Sequence, residues 1–272
     1  MTVFELLDRR LLAALRFVDA VGAPVTSPVE ARAEGLDPRS LRWSRKRDGA
    51  LLLLRAPGLE EHAAAFDVLP GAPAVGAEIL TLDLRPVDPA LAPRRAALAL
   101  PRDPDPEAGE SLLSPAEIRL LPGQRARAEG LEAALLVAVR HVDGRAVEGA
   151  VVRVRPGGPH AEALGITGPA GEALVRLAGL PIASPGPGAT VLADLEVDVD
   201  AAIDGPGVRL HAPGEIAAAR AAFAARRTGF PDPDAILAAL LIADPAIETT
   251  PTATVELRPG RLATAALTWT PA

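Results

Sequence analysis

Leu135-Leu136-Val137-Ala138-Val139-Arg140-His141-Val142 runs into Asp143-Gly144, passes Val147 and continues as Val151-Val152-Arg153-Val154. Two apolar, valine-rich runs separated by an Asp-Gly pair read as strand, tight turn, strand, because Asp-Gly accepts the positive φ of a hairpin turn. After Pro156-Gly157-Gly158 the chain returns as Gly165-Ile166-Thr167-Gly168-Pro169-Ala170-Gly171, then Glu172-Ala173-Leu174-Val175-Arg176-Leu177, and stops at Gly179-Leu180-Pro181. This is a second pair of apolar segments broken by a glycine turn.

That order resembles the carboxypeptidase regulatory-like (transthyretin-like, CnaB-like) β-sandwich, whose pattern is a strand, an Asp-Gly turn, V-x-G-A-x-V-x-V and then G-x-T-x-x-x-G. Residues 137 to 177 carry it as Val147-Glu148-Gly149-Ala150-Val151-Val152-Arg153-Val154 and as Gly165-Ile166-Thr167 ahead of Gly171. The resemblance implies a fold and carries over no active site: the metal-binding and catalytic residues of carboxypeptidases belong to a separate catalytic domain of that family.

An echo precedes it. Arg16-Phe17-Val18-Asp19 through Val25 aligns with Arg140-His141-Val142-Asp143 through Val147 when two residues are inserted in the first turn, and Asp48-Gly49-Ala50-Leu51 through Leu59 aligns with Ala170-Gly171-Glu172-Ala173 through Leu180. Two degenerate copies of one unit explain both alignments, and 272 residues exceed the roughly 100 of a single sandwich. The expected fold is mainly β: two tandem Ig/transthyretin-like sandwiches, 1–122 and 123–272, with the boundary near Gly123 in the Pro122–Gly130 linker. In the first copy, Ile79-Leu80-Thr81-Leu82-Asp83-Leu84 alternates, Ala96–Leu100 is its expected partner, Ile118–Leu121 is a last strand, and the proline- and acid-rich Pro101–Glu110 is a loop.

The second copy carries extra material, a two-helix insertion over 213–243. Pro213-Gly214-Glu215-Ile216 opens a helix expected to reach about Arg227, with Ile216, Ala219 and Phe223 on one face and a stop at Gly229. Asp232 is placed as N-cap before Pro233 of a second helix whose stripe is Ile236, Leu237, Leu240 and Leu241. These apolar residues are expected to pack on the second sandwich. Arg258-Pro259-Gly260-Arg261 then reads as a hairpin turn between Ala253–Leu257 and Leu262–Trp269.

Composition excludes much chemistry. Cysteine is absent, so there is no disulfide, thiolate metal site or cysteine nucleophile. Aromatics are 3% of residues, which leaves few platforms for stacking sugars or bases. A net charge of -7 opposes attraction to nucleic acid or anionic membranes. His62, His141, His160 and His211 form no pair at metal-binding spacing, and none of Ser27, Ser40, Ser44, Ser111, Ser114 or Ser184 lies in G-x-S-x-G. Gly157-Gly158 and Gly186-Pro187-Gly188 lack the lysine of a phosphate cradle and read as turns. Glu196, Asp198 and Asp200 alternate along one strand face between Asp194 and Asp204; Ala202 breaks any calcium-loop series, so a solvated face is expected. Asp103, Asp105, Glu107 and Glu110 read as a solvated loop, and Arg42, Arg45, Lys46 and Arg47 around Trp43 as an exposed loop tip. His141, Asp143 and Arg176 are the scattered residues that a sheet edge could bring together.

Catalytic, cofactor and metal sites are therefore all expected to be none. The first functional expectation is a non-enzymatic structural or adaptor protein whose partners are other proteins of a larger assembly. The layout, with Leu100-Pro101-Arg102-Asp103-Pro104-Asp105-Pro106 in its proline-rich stretch, also resembles two-domain accessory proteins of phage-tail-like contractile injection systems, which implies a baseplate, cap or accessory role. The alternative is a carbohydrate or cell-surface ligand-binding module. Charged residues in Met1–Ala20 interrupt any signal-peptide core or span, and a single lysine, Lys46, with no Asn or Tyr points to GC-rich coding. A bacterial, cytoplasmic protein assembled into a particle, without nucleic-acid or membrane insertion, is expected.

Overall fold

The computed structural model describes residues 11–59, 62, 76–101, 114–123, 125–127, 132–157, 161–178, 182–186, 189–192 and 194–271, and the protein they form is mainly β with two helices. The first half contains β1 (Ala13–Val18), β2 (Val29–Ala33), β3 (Arg42–Arg45), β4 (Leu51–Arg55), β5 (Glu78–Pro86), β6 (Arg94–Leu100) and β7 (Ala116–Arg119). They form one sheet in the order β3-β4-β1-β7 and another in the order β2-β5-β6. Strands with period-two patterning turn one face inward: Ala96, Leu98 and Leu100 of β6 are buried while Ala97 and Ala99 are exposed. Leu15, Phe17 and Leu53 from the first sheet share a buried cluster with Leu82, Leu84 and Leu98 from the second, each such side chain contributing about 1.5–3 kcal/mol on burial.

The second half adds β8 (Ala133–His141), β9 (Ala146–Glu148), β10 (Val151–Pro156), β11 (Ala163–Ile166), β12 (Glu172–Leu177), β13 (Ile182–Gly186), β14 (Ala189–Leu192), β15 (Leu195–Asp204) and β16 (Arg209–His211). After α1 (Ile216–Ala225) and α2 (Pro233–Leu241) come β17 (Ile247–Thr249), β18 (Ala253–Leu257) and β19 (Leu262–Trp269). The sequence echo is matched in the pairings. β4 is antiparallel and β7 parallel to β1, as β12 is antiparallel and β19 parallel to β8. β5 pairs antiparallel with β2 and β6, as β15 pairs with β10 and β18. The two halves differ at their third strand, for β3 joins β4 whereas β11 stays beside β10.

The run from Ala146 to Pro156 does not stay in one hairpin. β9 continues the β8 sheet, and the chain bends at Gly149, whose φ is +96°, so that β10 enters the facing sheet. Thr167 fixes that corner: its hydroxyl donates to the Val147 carbonyl at 2.6 Å and accepts from the Ala150 N–H at 2.9 Å. The glycine of the following turn is equally constrained. Gly171 has φ +67°, and a Cβ there would lie 2.6 Å from the Val139 carbonyl oxygen.

Two expectations are corrected. The Arg258–Arg261 turn is a crossover, because β18 pairs with β15 while β19 lies in the β8 sheet; Leu257, Leu267 and Trp269 thereby enter one core from opposite sides. The helices bury less than a continuous stripe would. Ile236 is buried with Val151 and Ala202, and Leu237 and Leu240 pack partly against them. Leu241, however, is 87% exposed, Ile216 and Phe223 are half-buried, and α1 buries Ala219 alone. α1 also ends at Ala225, since Arg226 takes extended φ/ψ. Asp232 does cap α2, accepting from Asp234 N–H and Ala235 N–H ahead of Pro233. Leu240→Ala is accordingly expected to cost about 1 kcal/mol and Leu241→Ala less than about 0.5, measured as shifts in the denaturant midpoint.

Candidate functional site

Alternation alone would send Asp83 to solvent, yet Leu82, Asp83 and Leu84 are all buried. The outer face of β5 and β6 is covered by the segment that joins the two helices. Asp83 accepts the N–H groups of Gly229 and Phe230 at 3.0 and 3.2 Å, and Arg95 reaches its oxygens at 3.4 Å. The Arg95 N–H donates to the Pro231 carbonyl at 2.8 Å. Arg94 is 1% exposed; it donates to the carbonyls of Arg119 and Arg95 and to Asp234 Oδ2, with Asp232 Oδ1 at 3.6 Å. Arg85 donates to the carbonyls of Ala224 and Arg226 at 2.8 and 2.7 Å, satisfying carbonyls that the end of α1 leaves open.

The same segment is tied to the second half through Glu148 of β9, which is 3% exposed. Arg226 lies 2.6 Å and Arg209 3.2 Å from its Oε1, and His211 Nε2 is 2.8 Å from Oε2. Burial on its own raises the Glu148 carboxyl, but hydrogen bonds from Arg226 and His211 and the arginine charges outweigh it and hold it below its ordinary 4.5. A carboxylate depressed in the folded state contributes stability that is complete above its unfolded value and lost as pH falls through the folded one. Glu148→Gln should therefore lose about 1–2 kcal/mol at neutral pH, and the loss should shrink only as pH falls below 4.5 and through the lower folded value, read from urea melts across pH.

The segment borders two clefts between the halves. One, of about 350 Å³, is lined by Arg85, Leu91, Thr167, Phe223, Phe230 and Pro231. The other, of about 280 Å³, is lined by Arg95, Glu148, Arg209 and Asp232 among others. Phe223 stands edge-on to Phe230 at 6.0 Å, and the Arg226 guanidinium lies 5.0 Å over the Phe223 ring. This is a joint in which the buried charges of the described residues are matched by one another and by backbone groups.

Of His141, Asp143 and Arg176, the structure brings the first two together and not the third. His141 Nδ1 lies 2.7 Å from Asp143 Oδ1, and its ring stands edge-on to Trp269 at 5.4 Å. Asp143 is lowered to about 2, first by the Arg145 N–H and then by His141 and the Arg145 side chain. Arg176 is not there. It pairs with Glu132 at 2.8 Å beside Ala134, seven positions along β8 from His141, or about 23 Å at strand rise. On the acidic strand, Asp200 is 4% exposed and is held by Arg153 at 2.7 Å and Arg155 at 2.5 Å, while Asp198 accepts the Thr254 hydroxyl. The solvated-face expectation holds for Glu196 and Asp198 and fails for Asp200, because β10 brings two arginines alongside. Among the described residues no group of three His, Asp or Glu side chains is placed to hold a metal ion.

His62 Nε2 lies 3.0 Å from the Gly76 carbonyl, and His211 belongs to the Glu148 group. Arg42, Arg45, Lys46 and Arg47 are exposed on β3 and the turn after it, with Trp43 packed partly against the core. His160, Ser111, Gly158, Pro187-Gly188 and residues 102–110, including the four acidic ones of that loop, lie outside the described residues. Reading the sequence missed Asp83, Arg94, Arg95 and Arg226. The legible signal was charge inside apolar strands: Asp83 within Leu80–Leu84 and Glu148 within the V-x-G-A motif. Comparison with protein-family models finds none that matches the chain, and comparison with curated proteins finds no match either.

Proposed function

We propose that this chain is a non-enzymatic structural or adaptor component of a multiprotein assembly, built from two tandem transthyretin-like sandwiches, 1–122 and 123–272. One observation carries this reading: of the four buried Asp, Glu and Arg side chains among the described residues, Asp83, Arg94 and Glu148 meet the 224–234 segment and Asp200 is held by Arg153 and Arg155, so the buried charges are occupied in structure and three of them fix the two halves against each other. A protein that transmits position needs such a joint, and an enzyme would need some of those groups open to substrate. The resemblance in layout makes a phage-tail-like contractile injection particle the assembly, with the chain as a baseplate, cap or accessory part assembled in the bacterial cytoplasm. Other proteins of that particle are its partners, and the net charge of -7 sets nucleic acid aside.

The test compares lysates with and without the gene. Loss of an intact particle, restored by His141→Ala and Asp143→Ala variants, is expected. Normal assembly with a lost enzymatic step that either substitution abolishes would overturn the reading.

A further inference from the structure

Edge strands expose unpaired backbone groups, and proteins blunt them with charge, proline, bulges or brevity. Nearly every described edge in this protein is blunted in one of these ways. β2 carries Glu30 and Arg32, β3 carries Arg42 and Arg45 and a register shift, β6 begins Arg94-Arg95, β7 carries Glu117 and Arg119, β12 carries Glu172 and Arg176, and β18 carries Glu256. β11, β16 and β17 have four residues or fewer. β19 is the exception. It is eight residues long, reads Leu-Ala-Thr-Ala-Ala-Leu-Thr-Trp with no charge and no proline, and pairs among the described residues only with β8.

The direction of its backbone groups follows from two bonds. The Trp269 carbonyl accepts from Val142 N–H at 2.9 Å and the Arg261 carbonyl from Ala134 N–H at 3.3 Å, so odd-numbered residues of β19 face β8. Leu262, Thr264, Ala266 and Thr268 therefore turn their N–H and C=O groups away from it. Their side chains lie on the exposed face, and Leu262 is 59% exposed. At the other end of the strand Val142, 60% exposed, stands beside Trp269.

We propose that β19 is a homodimer interface, at which the strand pairs antiparallel with β19 of a second copy and joins the two β8 sheets edge to edge. The strand suits itself as a partner. A two-fold axis sets no like charges opposite each other along β19 and brings the exposed Leu262 and Arg261 of each copy to the Trp269 end of the other, where Val142 is exposed on the neighbouring strand's end. Alternating threonine and alanine on the shared face leave room for direct backbone pairing. This inference stands apart from the proposed assembly role.

Sedimentation of the full chain at up to about 100 µM should give a species of twice 28.0 kDa. Ala266→Pro removes an outward N–H without touching the β8 ladder, and Thr264→Lys sets two cations near the two-fold axis. Each is expected to weaken the dimer about 100-fold, with an unchanged far-UV melting curve for Thr264→Lys. If Ala266→Pro unfolds the chain, Thr264→Lys alone decides. A monomer at every concentration, including one whose edge is taken by a strand of a different protein, overturns the inference, as does a dimer that Thr264→Lys leaves intact.

Discussion

Arg94→Met is expected to lower the unfolding free energy by about 3–5 kcal/mol, the usual cost of removing one member of a buried charged group. Methionine fills much of the volume but supplies no donor. The carbonyls of Arg119 and Arg95 lose their hydrogen bonds, and Asp232, itself mostly buried, loses its nearest cation. The size of the loss should depend on pH. Burial raises the Asp232 carboxyl above its ordinary 3.8, despite the Ala235 N–H and the Arg94 charge, so Asp232 becomes protonated in acid and the missing cation then matters less. The difference between wild type and variant, measured in urea at pH 7 and at pH 3, should shrink toward the acid value. A constant difference would place the loss in packing and the two carbonyl hydrogen bonds, and not in the lost ion pairing.

The second large effect is at Thr167. Thr167→Val keeps the shape and removes a hydroxyl that serves two buried backbone groups, the Val147 carbonyl and the Ala150 N–H. Each group left unpaired costs about 1–3 kcal/mol, so a loss of about 2–6 kcal/mol is expected. Thr167→Ser, which keeps the oxygen and drops only a methyl group, should lose about 1 kcal/mol. Equal losses for the two variants would mean that the methyl group, and not the corner hydrogen bonds, holds β9 to β10.

Local chemistry makes much of the β-structure legible in the sequence. Asp143-Gly144 forms the turn its type favours, with Gly144 at φ +88°, and Asp232-Pro233 opens a helix because a carboxylate and a proline each suit that end. The echo between Gly49 and Gly171 reflects a shared steric need: a Cβ at either position would stand 2.6 Å from a backbone oxygen of the neighbouring segment. What stayed hidden was non-local. Whether Arg258–Arg261 closes a hairpin or crosses between sheets depends on which core Trp269 reaches, and nothing within four residues encodes that. The joint was hidden for the same reason: Asp83 meets Gly229 and Phe230 across 146 and 147 positions. A charged residue in an alternating strand looks solvated until the covering segment is placed.

The 224–234 segment is the element that ties both halves together, and differential scanning calorimetry of the full chain tests this most directly. A single transition, with calorimetric and van't Hoff enthalpies in agreement, is predicted for the wild type, and two separated transitions for Arg94→Met. Two resolved transitions in the wild-type protein would contradict it.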